Sequence, residues 1–286
     1  MLPHREYKPK GNELLYHYCG ADSFHAICMN KSIRMGDLFT MNDYMELHWG
    51  YSIWEQVASE LMDEFGREFL DKIDQVIHSS GIRGLLLSSS FSLNGDVLSQ
   101  WRAYADDGKG YVIGFRAKDL LRLPVRPLRV EYNQKKQIKE VKNVIRAIHD
   151  VEKDMDEKFS SDFVTACYTL AYDLASYKNP AFSEEKEVRI IHLLSFKPSN
   201  NFLKLVDDGG HSFGEEVPGN EVKFIMSQNA PKAYIDISFT NKGKVNPINK
   251  VLIGPKNFVR QTAISVYLET LGIGNVQVEK STASYR

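Results

Sequence analysis

An α+β fold follows from three observations on the sequence. Short strand-like runs recur along the whole chain, two long amphipathic helical patterns interrupt them, and no internal repeat ties strand to helix at a fixed period. The strands outnumber what one simple wound sheet needs. The expectation is a single α+β domain over residues 14–286: a central mixed or antiparallel sheet with helices to one side and a helical insert. Residues 1–13 read as a polar lead-in with two prolines.

The first strand is LLYHY at 14–18, followed by a Gly20-Ala21-Asp22 turn from which Asp22 can cap a helix with Phe24, Ile27 and Cys28 inward. Residues 32–39 alternate toward a second strand, and Met41-Asn42-Asp43 reads as a turn and helix start. From 44 to 78, Ile53, Val57, Leu61, Phe65, Phe69, Ile73 and Val76 recur at helical spacing, with Gly66 as a break. A loop over 79–84 precedes a strand at 85–93 whose second half turns polar. Leu98, Trp101, Tyr104 and Ala105 then mark a short helix, and a turn at Asp106-Asp107-Gly108 leads into a buried strand at 111–115.

A short helix over 117–123 is stopped by Pro124 and Pro127, and 128–132 returns as strand. Residues 134–178 form the charged helical insert: a first helix over 134–158 with Ile138, Val141, Ile145, Ile148, Val151 and Met155 along one stripe, and a second helix over 162–176. EVRIIHLLSF at 187–196 is the longest strand. A hairpin at 207–217, strands at 219–228, 232–239, 249–254 and 276–279, and an amphipathic helix over 259–271 with Ala263, Val266, Tyr267 and Leu271 inward complete the chain.

Charge narrows the partners. Lys and Arg number 36 against 37 Asp and Glu, so no overall field draws the chain to nucleic acid or an anionic membrane; a nucleic-acid partner needs a local patch. Cys19, Cys28 and Cys167 are far apart and form no CxxC pair, which fits reduced thiols in a cytoplasm rather than a disulfide scaffold or zinc site. The start MLPHREYKPKGNE lacks the apolar core of a signal peptide, and no apolar run approaches membrane-spanning length. A cytoplasmic protein with no membrane partner is expected.

Four groups of residues carry candidate chemistry. Trp101, Arg102 and Tyr104 on one short helix either grip an anion and a flat ring together or are a packed Trp beside a surface Arg. His17 is either a core histidine with a hydrogen-bond partner or an imidazole offered to a ligand. Ser88-Ser89-Ser90, with Ser88 and Ser90 on one face, is either a strand end meeting solvent or a floor under a ligand. Glu185 and Glu187 share a face at the mouth of a strand, and a half-buried Glu187 either pairs with Arg189 or is held for function. Asn42, Asp43 and Glu46 suit a capped helix start better than a metal site, since HExxH and DxDxDG are both missing. GxxxxGK[ST] and GxGxxG frames are also missing.

Taken together, LYHY, the MND turn, FSLNGDVLSQWRAYADDGKGYVIGF, FSEEKEVRII, NKVLIGPK and the terminal SxxxYR resemble a bacterial family catalogued as a domain of unknown function, DUF2971, over about residues 14–286. A second resemblance is to the ADP-ribosyltransferase superfamily. There an early strand holds NAD through an Arg or His, a middle strand carries a Ser-Thr-Ser or Tyr element, and a late strand carries a catalytic Glu, often as Glu-x-Glu. His17 with Tyr18, then Ser88-Ser89-Ser90, then Glu185-Lys186-Glu187 occur in that order.

This resemblance implies a split sheet and an enzyme with NAD as substrate. The enzyme would cleave the nicotinamide–ribose bond and pass ADP-ribose to a protein or nucleic-acid acceptor or to water, in a bacterial toxin or phage-defence setting. It further implies Glu187 as the carboxylate beside the ribose, Glu185 assisting the acceptor, and His17 and Tyr18 at the NAD ribose. Ser88 and Ser90 would lie at the nicotinamide side, Arg102 on the pyrophosphate, and Tyr104 or Trp101 against the ring; no metal is expected. Two other readings stand beside it. One is a nucleotide or nucleic-acid binding module of the same fold without chemistry; the other is a metal-dependent nuclease or hydrolase using Asp43, Glu46, Glu185 and Glu187.

Overall fold

A computed structural model describes residues 5–38, 44–227, 229–240 and 246–285. Its strands are β1 (Leu14–Cys19), β2 (Ser32–Asp37), β3 (Gly84–Ser92), β4 (Tyr111–Arg116), β5 (Arg126–Arg129), β6 (Glu187–Pro198), β7 (Leu203–Val206), β8 (Gly210–Ser212), β9 (Glu215–Val217), β10 (Lys223–Ser227), β11 (Ala230–Ser238), β12 (Ile248–Ile253) and β13 (Gln277–Lys280). The helices are α1 (Ala21–Asn30), α2 (Tyr44–Glu60), α3 (Met62–Phe65), α4 (Arg67–Arg83), α5 (Leu98–Tyr104), α6 (Ala117–Leu120), α7 (Gln134–Glu152), α8 (Ser161–Leu174) and α9 (Gln261–Thr270). The α+β expectation holds: among the described residues one large sheet runs β10-β11-β2-β3-β1-β4-β12-β13, with β6 joined to β3 and carrying β5 and β7. Only the β12–β13 ladder of this sheet is parallel.

The feature that shapes everything else is a fork at β3. One edge of β3 pairs with β6 along its whole length, from Gly84↔Ser195 to Ser92↔Glu187. The other edge is shared: β2 takes Leu87 and Ser88, and β1 touches only Ser92, through Tyr16. Ser90 lies between them with no ladder partner on that edge, so the two strands spread apart and leave an opening in the sheet.

The two largest apolar cores among the described residues flank this frame. Leu15, Ile33, Met35, Leu87, Phe91, Ile113, Phe115, Val188 and Ile190 belong to the core on one face of the sheet, together with α1, α6 and α9. The second lies within the helices, where Trp54, Val57, Ile73, Val141, Ile145, Cys167 and Tyr177 interlock α2, α4, α7 and α8. Cys19, Cys28 and Cys167 are free and buried, and burial pushes the thiols of Cys28 and Cys167 up to about 12. No described helix is long and apolar enough to cross a membrane.

Several local expectations need correction. Residues 79–83 continue α4 rather than forming a loop. Gly20, not Asp22, is the N-cap of α1, and Asp22 sits in its first turn. In α9 Ile264 and Leu268 are the buried residues, Tyr267 and Leu271 pack against the same core as expected, and Ala263 and Val266 instead point outward, Val266 at 65% exposure. Val151 likewise points outward at 64% exposure. The lead-in is tied down from residue 5: Tyr7 donates its N–H to the Pro127 carbonyl, and Arg5 reaches Glu131 and Glu140 at 3.3 and 3.2 Å. Asn42, Asp43 and the side chain of Glu46 lie outside the described residues.

Candidate functional site

A cavity of about 470 Å³ opens at the fork. Its floor is built by strand alternation. Ser88, Ser90 and Ser92 project from β3 to one face, and the register sets Gly36 of β2 beside Ser88, Arg189 beside Ser90 and Glu187 beside Ser92. Tyr234 of β11 stands next to Gly36, and Asp236 next to Arg34. A Cβ built on Gly36 would meet nothing within 4 Å, so the floor is open there.

The short helix α5 roofs one side, and its two faces have different tasks. Trp101 is fully buried with Tyr18, Val112 and Leu252, and its indole N–H donates to Asp96 at 2.7 Å. Tyr18 accepts the Val97 N–H at 3.0 Å and donates to the Asn94 carbonyl at 2.9 Å, pinning the start of the helix to β1. The opposite face carries Gln100 and Tyr104, spaced at i and i+4, into the cavity. Tyr104 donates to Glu185 at 2.8 Å and Gln100 to Ser92 Oγ at 3.2 Å. Burial and the Glu185 charge both raise the Tyr104 pKa, so its hydroxyl stays protonated.

Glu187 is 5% exposed and saturated. It accepts from Ser90 Oγ at 2.6 Å, from Arg189 Nε and Nη2 at 2.9 and 3.1 Å, and from Lys178 Nζ at 3.4 Å. Burial alone would raise its pKa; the Arg189 and Lys178 charges outweigh that and hold it at about 2. A carboxylate has about four lone-pair positions, and these four donors fill them. Glu185, by contrast, accepts one bond from Tyr104 and one from Lys178 Nζ at 2.6 Å, which leaves two positions open. The turn that brings both acids to one ammonium places Lys186 at φ 44°.

His17 reaches the cavity by a different route. Alternation puts Leu15, His17 and Cys19 on the main-core face of β1 and Tyr16 and Tyr18 on the α5 face. The imidazole nevertheless enters the fork, where Nδ1 lies 3.0 Å from the Ser90 carbonyl that lacks a ladder partner. A carbonyl only accepts, so Nδ1 carries the proton. Burial pushes the pKa down and keeps the ring neutral, leaving Nε2 as an acceptor with no protein partner among the described residues.

Of the residues singled out in the sequence, His17, Tyr18, Ser88, Ser90, Tyr104, Glu185 and Glu187 line this one cavity. Trp101 and Arg102 do not. Trp101 cannot stack on a ligand, because it is enclosed by the core beneath α5. Arg102 is exposed, its guanidinium lies 5.7 Å from the Tyr285 ring, and it is not part of the cavity lining. The expected half-buried Glu187 is fully buried, and its pairing with Arg189 is real. Glu185 and Glu187 are bridged by Lys178 rather than arranged around an ion, and among the described residues no three His, Cys, Asp or Glu side chains gather as metal ligands.

Sequence reasoning missed Arg34, Gly36, Lys178 and Gln100. Arg34 and Gly36 had a signal, since alternation in SIRMGD puts them on the face away from Ile33 and Met35. Lys178 had none, lying in a loop after α8 where no period applies.

Residues 100–190 match a family model described as "Protein of unknown function (DUF2971)". That stretch carries Gln100, Tyr104, Lys178, Glu185, Glu187 and Arg189, while His17, Arg34 and Ser88 to Ser90 precede it. No curated protein and no solved structure matches the chain.

Proposed function

We propose that the fork cavity binds a nucleotide and that the chain is an ADP-ribosyltransferase-like, NAD-consuming enzyme. The observation that carries the reading is a hydrogen-bonded line across three strands. His17 on β1 donates to the Ser90 carbonyl on β3, and the Ser90 hydroxyl donates to Glu187 on β6. These are the three strand elements of the resemblance, in its order, at the wall of one cavity.

The carboxylate that faces the reacting sugar is then Glu185. Cleaving the nicotinamide–ribose bond sends its electron pair to the nicotinamide nitrogen and leaves oxocarbenium character on the ribose. An ionised carboxylate with free lone pairs stabilises that charge. Glu185 has two such positions; Glu187, filled by Ser90, Arg189 and Lys178, acts as a positioning residue. The acceptor's nucleophile forms the new bond to the ribose carbon and gives up its proton to an open oxygen position of Glu185. His17 Nε2 is suited to accept from a sugar hydroxyl. A cytoplasmic location fits the three free thiols, and a toxin or phage-defence setting is the one the resemblance implies.

A second reading, nucleotide or nucleic-acid binding without chemistry, is favoured by one fact: Lys178 neutralises part of the charge on both carboxylates. Nicotinamide release from NAD separates the two. Turnover by the wild type that falls at least a hundredfold in Glu185→Gln, with the fold retained by circular dichroism, is expected for the enzyme. Binding of NAD without release, unchanged in Glu185→Gln, selects the binding module. Neither turnover nor binding refutes both.

A further inference from the structure

The cavity is polar in the directional sense. At the α5–β6 end the unfilled groups accept hydrogen bonds: two positions on Glu185 and Nε2 of His17. At the β2–β11 end they donate. Arg34 and Tyr234 both line the cavity, and the guanidinium carbon lies over the Tyr234 ring, 3.9 Å from its centroid. Asp236 fixes it through Nε at 2.9 Å and Nη2 at 3.3 Å. A guanidinium has five N–H donors, so three stay unused among the described residues.

Between the two ends lies the strongest sign of a missing partner. Ser88 is fully buried and lines the cavity, and its hydroxyl makes no hydrogen bond among the described residues. An orphaned buried hydroxyl keeps its desolvation cost, a cost that a ligand atom in the cavity would remove. Its neighbour in the register is Gly36, where no side chain covers the floor. One acid opposes the pattern: Asp37 also lines the cavity, but it springs from the Ile33–Met35 face of β2 rather than from the face of Arg34.

We infer that the β2–β11 wall is a phosphate subsite, with Arg34 as its anchor and Gly36 and Ser88 as the notch through which the ligand's chain passes toward Glu185. The inference rests on the nucleotide reading above and adds the ligand's orientation to it. A phosphoryl group takes donors in a fork, which the fixed, planar guanidinium supplies; sugar hydroxyls need acceptors, which the other end supplies. A phosphorylated sugar or nucleotide matches both ends, and an uncharged nucleoside only one. This also replaces Arg102, which does not line the cavity, as the group that holds the pyrophosphate.

Calorimetric titration of the full chain with ADP-ribose, adenosine and inorganic pyrophosphate tests it, using Arg34→Gln and Arg34→Lys. Because the Arg34 side chain is half exposed and Lys223 still reaches Asp236 at 3.4 Å, Arg34→Gln should melt within about 2 °C of the wild type. ADP-ribose should bind at least about tenfold more tightly than adenosine. Arg34→Gln should weaken ADP-ribose at least about tenfold, and Arg34→Lys, which keeps charge but not the planar fork, by less. ADP-ribose bound equally by wild type and Arg34→Gln overturns the subsite and spares the nucleotide reading. Pyrophosphate bound through Arg34 with no ADP-ribose binding supports the subsite and overturns the NAD reading. A wild type that binds none of the three overturns both.

Discussion

Replacing Glu187 by Gln keeps the shape of the side chain and removes its charge, and it should cost about 3 kcal/mol of stability at neutral pH. Lys178 and Arg189, 4% and 3% exposed, would keep their desolvation cost and lose their shared counter-charge. Removing one partner from a buried ion pair costs about 3–5 kcal/mol. The lower end applies because Glu185 still holds Lys178 at 2.6 Å and the Ala175 carbonyl still accepts from Arg189 at 2.7 Å.

The acid limb gives a second route to the same magnitude. A Glu that titrates at 4.5 when unfolded and at about 2 when folded contributes stability that is complete above 4.5 and is lost as pH falls through about 2. That gap is worth about 3 kcal/mol, at about 1.4 kcal/mol per pH unit. Urea unfolding followed by tryptophan fluorescence, from pH 7 down to pH 2, measures both. The wild type should lose stability below pH 4.5 more steeply than Glu187→Gln, so the two curves converge in acid. A variant within 1 kcal/mol of the wild type at pH 7, or curves that stay parallel between pH 5 and 2, would refute the saturated ion pair. Adding Arg189→Met to Glu187→Gln should recover part of the loss, since it removes the unmatched cation.

Two further predictions follow from the same geometry. Gly36→Val places two methyl groups over open floor in a strand that favours β-branched residues. Its melting temperature should stay within about 2 °C of the wild type or rise, while ADP-ribose affinity falls more than about tenfold; unchanged affinity by calorimetry places the ligand elsewhere. Trp101→Ala and Arg102→Ala should behave in opposite ways. The first costs about 3–5 kcal/mol in urea unfolding by emptying a fully enclosed site. The second leaves stability within about 0.5 kcal/mol and ligand affinity within about twofold, and a larger loss of affinity would return Arg102 to the binding site.

The strands that matter were legible because their periods are short and local. The strand pattern marked β1, alternation marked the Ser88–Ser90 face of β3, the Glu185–Glu187 pair marked the mouth of β6, and the spacing of Trp101 marked α5. What alternation could not say is which edge each strand would choose. The fork exists because β1 and β2 both seek the same edge of β3, a choice made by packing between residues fifty or more positions apart. The same limit explains Trp101 and Arg102. Helical spacing separates the faces of α5, but whether the Trp face or the Gln100–Tyr104 face meets the cavity depends on Tyr18, Val112 and Leu252. His17 illustrates the reverse case: parity sends it to the wrong side, and a missing ladder bond at Ser90 draws it back.

Tyr177 and Lys178 are consecutive, yet they belong to different worlds. The tyrosine ring is locked among the helices and its hydroxyl is held by Glu140 at 3.1 Å. The next side chain is the ammonium shared by the two acids of the cleft. One peptide bond therefore splices the helical lobe to the electrostatics of the opening, and a shift in how those helices nest must retune the two carboxylates without touching them.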